Sequence, residues 1–205
     1  MIDEQTDKRP SSFWKELPIL LGVALLVAFL VRTFVLQTFY IPSESMQPTL
    51  ELNDRVLVNK LVYNFRSPQR GEIVVFQAPF EWTHNPEGED YIKRIIGVGG
   101  DTVKCCDEQQ RLLVNGRSID EPYLLGPAAT ADFEITVPEG RLWVLGDNRA
   151  SSQDSLHHWR SSNEDITLAT VPEERVVGRA FAIFWPFDRS TWLSVPESYE
   201  AVPDP

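Results

Sequence analysis

The feature that most constrains this 205-residue chain is an uncharged apolar run near its N-terminus, LPILLGVALLVAFLV at residues 17–31. A helix needs about 20 such residues to cross the hydrocarbon core of a bilayer. Residues 13–16 and the apolar FVL after Arg32 supply the missing length, and Arg32 can extend its long side chain to the interface. The run therefore predicts a single transmembrane helix over residues 17–36.

A cleavable secretory signal is the alternative interpretation of this run, because such signals also contain an apolar stretch. No A-x-A-like cleavage site follows directly, which favours a retained anchor. Three positive residues precede the run, whereas the first one after Arg32 is Arg55. The positive-inside rule then predicts a cytoplasmic tail over residues 1–16, with everything after the helix outside the cytoplasm.

The chain beyond the predicted helix carries mostly β-type patterns, and helical periodicity is scarce. The β-type segments are DRVLVNKLVY, GEIVVFQ, YIKRIIGV, TVKCC, RLLVNGRSI, RLWVLG and RVVGRAFAIFW. Asn115-Gly116 between RLLV and RSID predicts a two-residue hairpin, because both residue types tolerate positive φ. We expect a mainly β domain, followed by a mobile tail over residues 186–205.

Charge and cysteine content exclude several classes of protein. A formal net charge of -11 without clustered Lys or Arg argues against nucleic-acid binding. Cys105 and Cys106 are too few for a metal cage or a disulfide framework, so no metal site is expected. Adjacent Cα atoms lie about 3.8 Å apart, closer than the roughly 4.4–6.8 Å usual in disulfides. This comparison favours free or intermolecular thiols over a bridge between the two neighbours.

A serine in a stiff segment is the first candidate for chemistry. Ser45 lies in IPSESMQPTL, residues 41–50, between Pro42 and Pro48. Each proline fixes its own φ and so lowers the entropy cost of holding Ser45 in place. The default interpretation of a loop serine is a turn or cap residue, and a nucleophilic hydroxyl also needs a base.

Lys93 is the candidate base. In YIKRIIGV, alternation places Lys93 on one face of a strand with Tyr91 and Ile95, and Arg94 on the other. Burial among apolar groups lowers a lysine pKa from about 10.4 and can leave a neutral amine that accepts a proton. The alternative is a lysine on an edge strand that reaches solvent.

The stretch LGDNRASSQDS leaves further alternatives open. Asp147 and Asn148 are turn formers that could simply cap a turn. A Ser-His-Asp hydrolase could combine Ser45 with Asp154 and one of the neighbouring histidines at 157 and 158. A membrane-anchored binding protein, in which Ser45 and Lys93 are only structural, is the non-enzymatic alternative.

Taken together and in order, these segments resemble bacterial type I signal peptidase, a membrane-anchored serine protease that removes signal peptides from exported proteins. The resemblance runs from the anchor to about Pro186. Its carriers are IPSESMQPTL, DRVLVNKL, RGEIVVF, YIKRIIGVGGD, LGDNRASSQDS and VVGRAFAIFWP. It implies an antiparallel β-sheet catalytic domain over residues 37–185, with a smaller β subdomain at roughly 102–140. It also implies a single-pass protein of the plasma membrane whose partners are preprotein signal peptides and lipid, with no nucleic acid and no cofactor.

The resemblance also implies roles for individual residues. Ser45 corresponds to the nucleophile, Lys93 to the general base, and the Ser43 hydroxyl with the Ser45 backbone N–H to the oxyanion hole. Ser152 is expected to hydrogen-bond the lysine. The expected supporting residues are Asp147, Arg149 and Asp154, and the expected substrate-binding residues are Phe39, Ile41, Pro42, Leu50, Tyr91 and Ile92.

This chain departs from the family pattern after Ser155. The family block usually continues with an arginine that pairs with the preceding aspartate, whereas this chain has Leu156, two histidines and a polar insertion. The expected ion pair of Asp154 therefore lacks its arginine. The substrate is expected to lie extended along a strand edge near residues 39–45.

Overall fold

The computed structural model describes residues 13–30, 35–85 and 88–205. Its N-terminal element is helix α1 (Phe13–Leu30), which covers most of the apolar run. Across the described residues, no helix reaches the combined length and apolarity required of a membrane span. The predicted span of residues 17–36 includes residues 31–34, which lie outside the described part of the chain.

The described residues form a mainly β structure with short helices between strands. The strands are β1 (Leu36–Tyr40), β2 (Arg55–Asn59), β3 (Ile73–Gln77), β4 (Asp90–Gly97), β5 (Thr102–Cys105), β6 (Leu112–Val114), β7 (Arg117–Ser118), β8 (Phe133–Thr136), β9 (Arg141–Leu145), β10 (Val171–Pro172), β11 (Val176–Trp185) and β12 (Thr191–Trp192). The further α-helices are α2 (Phe80–Thr83), α3 (Ser155–Ser161) and α4 (Ile166–Ala169). Short 3-10 turns cover Val62–Asn64, Arg149–Ser151, Glu173–Arg175, Phe187–Arg189 and Glu197–Tyr199.

The larger sheet holds its strands in the order β1-β2-β11-β3-β4-β9-β10, with β12 added to β11. Its neighbouring strands pair antiparallel, which confirms the mainly antiparallel β part of the predicted fold class. Apolar clusters cover both faces of the central strand β3: Val74 and Phe76 pack in one cluster, Ile73 and Val75 in another. Consecutive apolar residues in β3 are explained by this two-sided burial.

The smaller sheet has the order β7-β6-β5-β8 and lies within the range expected for a subdomain. Asn115 and Gly116 connect β6 to β7 with φ values of 50° and 76°. Positive φ at both positions is the geometry of a type I′ hairpin turn, so the predicted hairpin is confirmed. The Asn115 side chain also accepts a hydrogen bond from the Thr102 backbone N–H at 2.9 Å, which ties the turn to β5.

The prediction of free or intermolecular thiols at Cys105 and Cys106 is wrong. Cys105 and Cys106 form a disulfide with each other, with Cα atoms 3.0 Å apart across a cis peptide. The prediction of free thiols used the usual Cα separation of bridges and assumed a trans peptide, and neither applies to these neighbours.

The tail after Pro186 was expected to be mobile, but it packs against the body of the domain. β12 pairs with β11, and three apolar side chains of the tail are buried, namely Leu193, Tyr199 and Val202. Their removal from water supplies a driving force that the prediction did not consider.

Candidate active site

Ser45 and Lys93 meet although 48 residues separate them in sequence. Ser45 lies in the turn between β1 and β2, and two backbone bonds close the base of this loop, from Ile41 N to Asp54 O and from Asn53 N to Ile41 O. Lys93 lies in β4. Its Nζ donates a hydrogen bond to Ser45 Oγ at 2.7 Å and another to the Ile92 carbonyl at 3.1 Å.

The ammonium form of Lys93 is destabilised by burial. The residue is 4% exposed, and desolvation lowers its pKa from 10.5 to about 8, against the opposing effect of the carboxylates of Asp154 and Asp147. As predicted from alternation, Lys93 faces the same side as Tyr91, whose ring centroid lies 5.5 Å from Nζ. The alternative of a solvent-reaching edge lysine is wrong.

Ser43 lies beside the pair, with its Oγ 3.3 Å from Ser45 Oγ. Its side chain lines the same cleft as Ser45 and Lys93. The structure thus brings two hydroxyls and one amine together, an arrangement that can activate a serine and receive a developing negative charge.

Asp147 is held by a buried ion pair beneath the site. Arg94, which points away from Lys93 as alternation predicts, donates to both Asp147 oxygens at 2.9 and 2.6 Å. Thr49 donates its hydroxyl to the same carboxylate at 2.5 Å. Because Thr49 follows Ser45 closely, this network connects β4, the loop after β9 and the Ser45 turn.

Arg149 anchors the other end of that loop. Its guanidinium pairs with Glu121 at 2.6 Å, and it donates to the Gly146 carbonyl at 2.9 Å and to the Ala128 carbonyl. Tyr199 completes the network from the C-terminal tail by donating to Glu121 at 3.1 Å.

Asp154 has no cationic partner within the described residues and acts instead as the N-cap of α3. Its carboxylate accepts hydrogen bonds from the backbone N–H groups of Gly146 at 2.9 Å, Leu156 at 3.2 Å and His157 at 3.4 Å. These backbone donors stabilise the negative charge of the Asp154 carboxylate, which in the family pattern pairs with an arginine.

Ser152 does not make the hydrogen bond that the resemblance implies. Its Oγ is buried without a hydrogen-bond partner in the described part of the chain, and Lys93 donates to Ser45 and Ile92 instead. Ser152 nevertheless lies close to the site, because a Cβ at Gly146 would collide with both Ser152 Oγ and the Ser45 carbonyl. Only glycine permits this close approach.

A cleft of about 600 Å³ opens over Ser45 and Lys93. Five of the six predicted substrate-binding residues line it: Phe39, Ile41, Pro42, Tyr91 and Ile92. Leu50 does not, because the turn directs its side chain into the core cluster with Met46, where it is 0% exposed. The sequence analysis missed the lining residues Tyr40, Val75, Glu89, Asp90, Ala150, Ser151, Gln153 and His157.

The histidines do not form a triad with Ser45. His158 stacks on Trp82 with ring centroids 4.2 Å apart, and desolvation lowers its pKa to about 4. His157 lines the cleft edge, but Asp154 contacts its backbone N–H rather than its ring. Among the described residues, no histidine ring hydrogen-bonds to Ser45 or Asp154, and no acidic, histidine and cysteine side chains cluster as metal ligands.

Two residues of the supporting network had no recognisable signal in the sequence, and a third had a signal for a different role. Glu121 and Tyr199 come from distant segments, and only the fold brings them to Arg149. Asn148, interpreted from sequence as a possible turn cap, donates to the Ser45 segment.

Known proteins are similar to most of this chain. The family described as signal peptidase, peptidase S26, matches residues 14–185. Probable signal peptidase I-2 of Synechocystis sp. is 40% identical over 199 residues, which are 97% of this chain and 86% of that protein. Signal peptidase I of Leptolyngbya laminosa is 42% identical over 182 residues, covering 87% of this chain and 83% of that protein.

A more distant relative and a solved structure extend the comparison. Signal peptidase I of Mycobacterium tuberculosis is 37% identical over 230 residues, covering 90% of this chain and 78% of that protein. A crystal structure of a signal peptidase I from Enterococcus faecalis covers 56% of this chain and 97% of its own, at 33% identity and a TM-score of 0.42. The sequence matches span the cleft and both sheets, and the chain is therefore a hydrolase that belongs to the signal peptidase family, peptidase S26.

Proposed function

We propose that this protein is a membrane-anchored serine endopeptidase that cleaves N-terminal signal peptides from exported preproteins after small residues. The observation that carries the proposal is the buried amine of Lys93, 2.7 Å from the Ser45 hydroxyl at the floor of an open cleft. A buried lysine without a carboxylate partner costs stability, and its role as a proton acceptor explains why it is there.

The chemistry follows from this pair. The neutral Lys93 amine takes the proton of the Ser45 hydroxyl while the serine oxygen attacks the scissile carbonyl carbon. The Ser43 hydroxyl and the Ser45 backbone N–H donate to the resulting oxyanion, and each such donor contributes roughly 3 kcal/mol. The Lys93 ammonium then protonates the leaving amine, which regenerates the base. Water, activated by the same amine, hydrolyses the acyl-enzyme.

The strand edge of β4 supports an extended mode of substrate binding. β9 pairs with β4 only from Arg94 to Gly97, so in the described structure the edge of residues 90–93 on that side has no strand partner and faces the cleft. A peptide can add there as a further strand, because its main chain would pair with these open donors and acceptors. The apolar walls formed by Phe39, Ile41 and Ile92 leave shallow room for small side chains.

The exposed apolar surface of α1 supports membrane anchoring. Side chains such as Ile19, Leu20 and Leu25 are each more than 60% exposed. Apolar residues on all sides of a helix are stable in lipid, and the charge asymmetry around the run places the N-terminus in the cytoplasm. We therefore place the helix in the plasma membrane, with the β domain outside the cytoplasm.

The direct test uses the purified full-length chain in detergent with a preprotein substrate. We expect Ser45→Ala and Lys93→Ala each to abolish cleavage without changing the circular dichroism spectrum. Lys104→Ala is the matched control, because Lys104 is an exposed lysine whose ion-pair partner in the described structure is the exposed Glu134. Normal processing by either the Ser45 or the Lys93 variant would refute the proposed mechanism.

A further inference from the structure

Asn148 binds the Ser45 segment through both its main chain and its side chain. The Asn148 backbone N–H donates to the Ser45 carbonyl at 3.0 Å. Its side-chain Nδ2 donates to the Glu44 carbonyl at 3.1 Å. The Gln47 backbone N–H donates to the same Glu44 carbonyl at 3.1 Å within the turn. Asn148 thus holds the Ser45 carbonyl and is one of two donors to the Glu44 carbonyl.

The bond to Glu44 matters because of peptide geometry. The Glu44 carbonyl and the Ser45 N–H belong to one rigid, planar peptide unit, which is not among the cis peptides of the described chain. In a trans unit the C=O and the N–H point in opposite directions, so a donor that fixes the carbonyl also fixes the direction of the N–H. Hydrogen bonding at the carbonyl further polarises the unit and strengthens the N–H as a donor.

The Ser45 N–H is available for a ligand. Within the described part of the chain it donates to no protein acceptor, although the neighbouring turn is well bonded. A donor that is held in direction and left without an acceptor is suited to receive charge that develops on a substrate.

We propose that Asn148 is a positioning residue that aims the Ser45 N–H at the oxyanion through its hydrogen bond to the Glu44 carbonyl. This inference rests on the proposed function and deepens it, because it assigns the orientation of the oxyanion hole to a side chain outside the hole. Asn148 itself touches neither the substrate carbonyl nor the reacting atoms.

The surrounding contacts make this role separable from folding. The loop that carries Asn148 is anchored on one side by the Asp147–Arg94 pair and on the other by the Arg149–Glu121 pair. Loss of the Asn148 amide leaves both pairs in place, together with the main-chain bond to the Ser45 carbonyl and the bond from the Gln47 N–H to the Glu44 carbonyl. A substitution removes one of the two donors to the Glu44 carbonyl, and it should therefore loosen this peptide plane without unfolding the loop.

Two substitutions test the inference kinetically. Asn148→Ala removes the side-chain donor, and Asn148→Asp keeps the shape but cannot donate to a carbonyl at neutral pH. Loss of a whole oxyanion donor lowers kcat about 100- to 1000-fold. In the Asn148 variants the Ser45 N–H is still present but misdirected, so we expect kcat to fall about 10- to 100-fold, with KM and the melting temperature unchanged. Asn64→Ala is the control, because Asn64 is an exposed asparagine in a remote turn and should leave kcat unchanged.

A peptide boronate provides a second readout. The Ser45 oxygen bonds to boron while the serine proton passes to Lys93, and the tetrahedral adduct then carries negative charge with an oxygen in the hole. Its affinity should fall by the same factor as kcat in both Asn148 variants, whereas binding of an uncleavable substrate peptide should not change. Equal weakening of both ligands would show a general structural effect and overturn the inference.

The outcomes separate this inference from the proposed function. If Ser45→Ala and Lys93→Ala are inactive and Asn148→Ala cleaves at the normal rate, only the role of Asn148 is refuted. If Ser45→Ala still cleaves, the proposed function itself fails. If neither Asn148 variant folds, Asn148 is a structural residue and the inference is overturned.

Discussion

Lys93 combines two properties that rarely occur together, because it is buried and its amine faces a hydroxyl rather than a carboxylate. Its pKa is lowered from 10.5 to about 8. Below pH 8 both the folded and the unfolded chain carry the proton, and burial of that charge costs roughly 3 kcal/mol of stability. Between pH 8 and 10.5 only the unfolded state keeps the proton, so the penalty is relieved as the pH rises.

Because the stability penalty of Lys93 decreases as the pH rises, it leads to a prediction for Lys93→Met, which replaces the amine by an apolar chain of similar length. At pH 7 we expect the free energy of unfolding to rise by up to about 3 kcal/mol, because the buried charge is removed. The gain over wild type should shrink toward pH 10, as measured by urea denaturation. A stability gain that grows with pH would contradict desolvation as the cause of the lowered Lys93 pKa.

In the wild-type protein, kcat/KM should rise with pH about a midpoint near 8.

At the scale of elements, the site depends on how loops close over β4. The short helix α3 begins where Asp154 accepts three backbone N–H bonds, one of them from Gly146 in the loop beside Ser45. The cap therefore joins the helix, the loop and the electrostatic environment of Lys93, whose pKa the Asp154 carboxylate raises against desolvation.

Substitution of Asp154 should separate these effects. Asp154→Ala loses the cap and leaves the buried Gly146 N–H unpaired, so we expect a loss of about 2 kcal/mol in the free energy of unfolding. Asp154→Asn retains acceptors and should lose less, but without the charge the Lys93 pKa falls and the kcat/KM midpoint moves to lower pH. Both effects can be followed by urea denaturation and a pH profile.

The control for this prediction is another helix cap. Asp165 caps α4 by accepting from Thr167 and Leu168, and it lies at the surface. Asp165→Ala should cost about 1 kcal/mol and leave the pH profile unchanged. An equal shift of the midpoint in both variants would contradict a direct effect of Asp154 on Lys93.

At the scale of the whole molecule, the C-terminal tail ties the two sheets together. Tyr199 is buried and donates to Glu121, the partner of Arg149, while Asn115 in the β6–β7 turn donates to the Pro203 carbonyl. Ser198 donates to the Asp120 carbonyl in the same region. The tail is therefore part of the fold and supports the loop that carries Asn148.

Tyr199 variants test this role of the tail. Tyr199→Ala should lower the free energy of unfolding by about 3–5 kcal/mol, because it removes a large buried ring. Tyr199→Phe should cost about 1–3 kcal/mol, because it leaves the buried Glu121 carboxylate short of a donor. Trp192→Ala, at a position that is 76% exposed, should change stability by less than about 1 kcal/mol. Unfolding curves that coincide for Tyr199→Ala and wild type would show that the tail is dispensable.

The sequence by itself determined the family, through the order of its motifs, and several local features. Alternation in YIKRIIGV separated Lys93 from Arg94, and Asn115-Gly116 specified a hairpin. These features depend on neighbours in the chain, whose geometry follows from the periodicity of strands and the φ preferences of turn residues.

Only the tertiary structure decided which distant groups meet. It brought Lys93 to Ser45 and Asn148 to Glu44, left Ser152 without a partner, and packed a tail that was expected to be mobile. It also made Asp154 a helix cap where the family pattern has an ion pair. Such contacts depend on the register and packing of strands far apart in sequence, and no local pattern encodes the distance between two atoms from different strands.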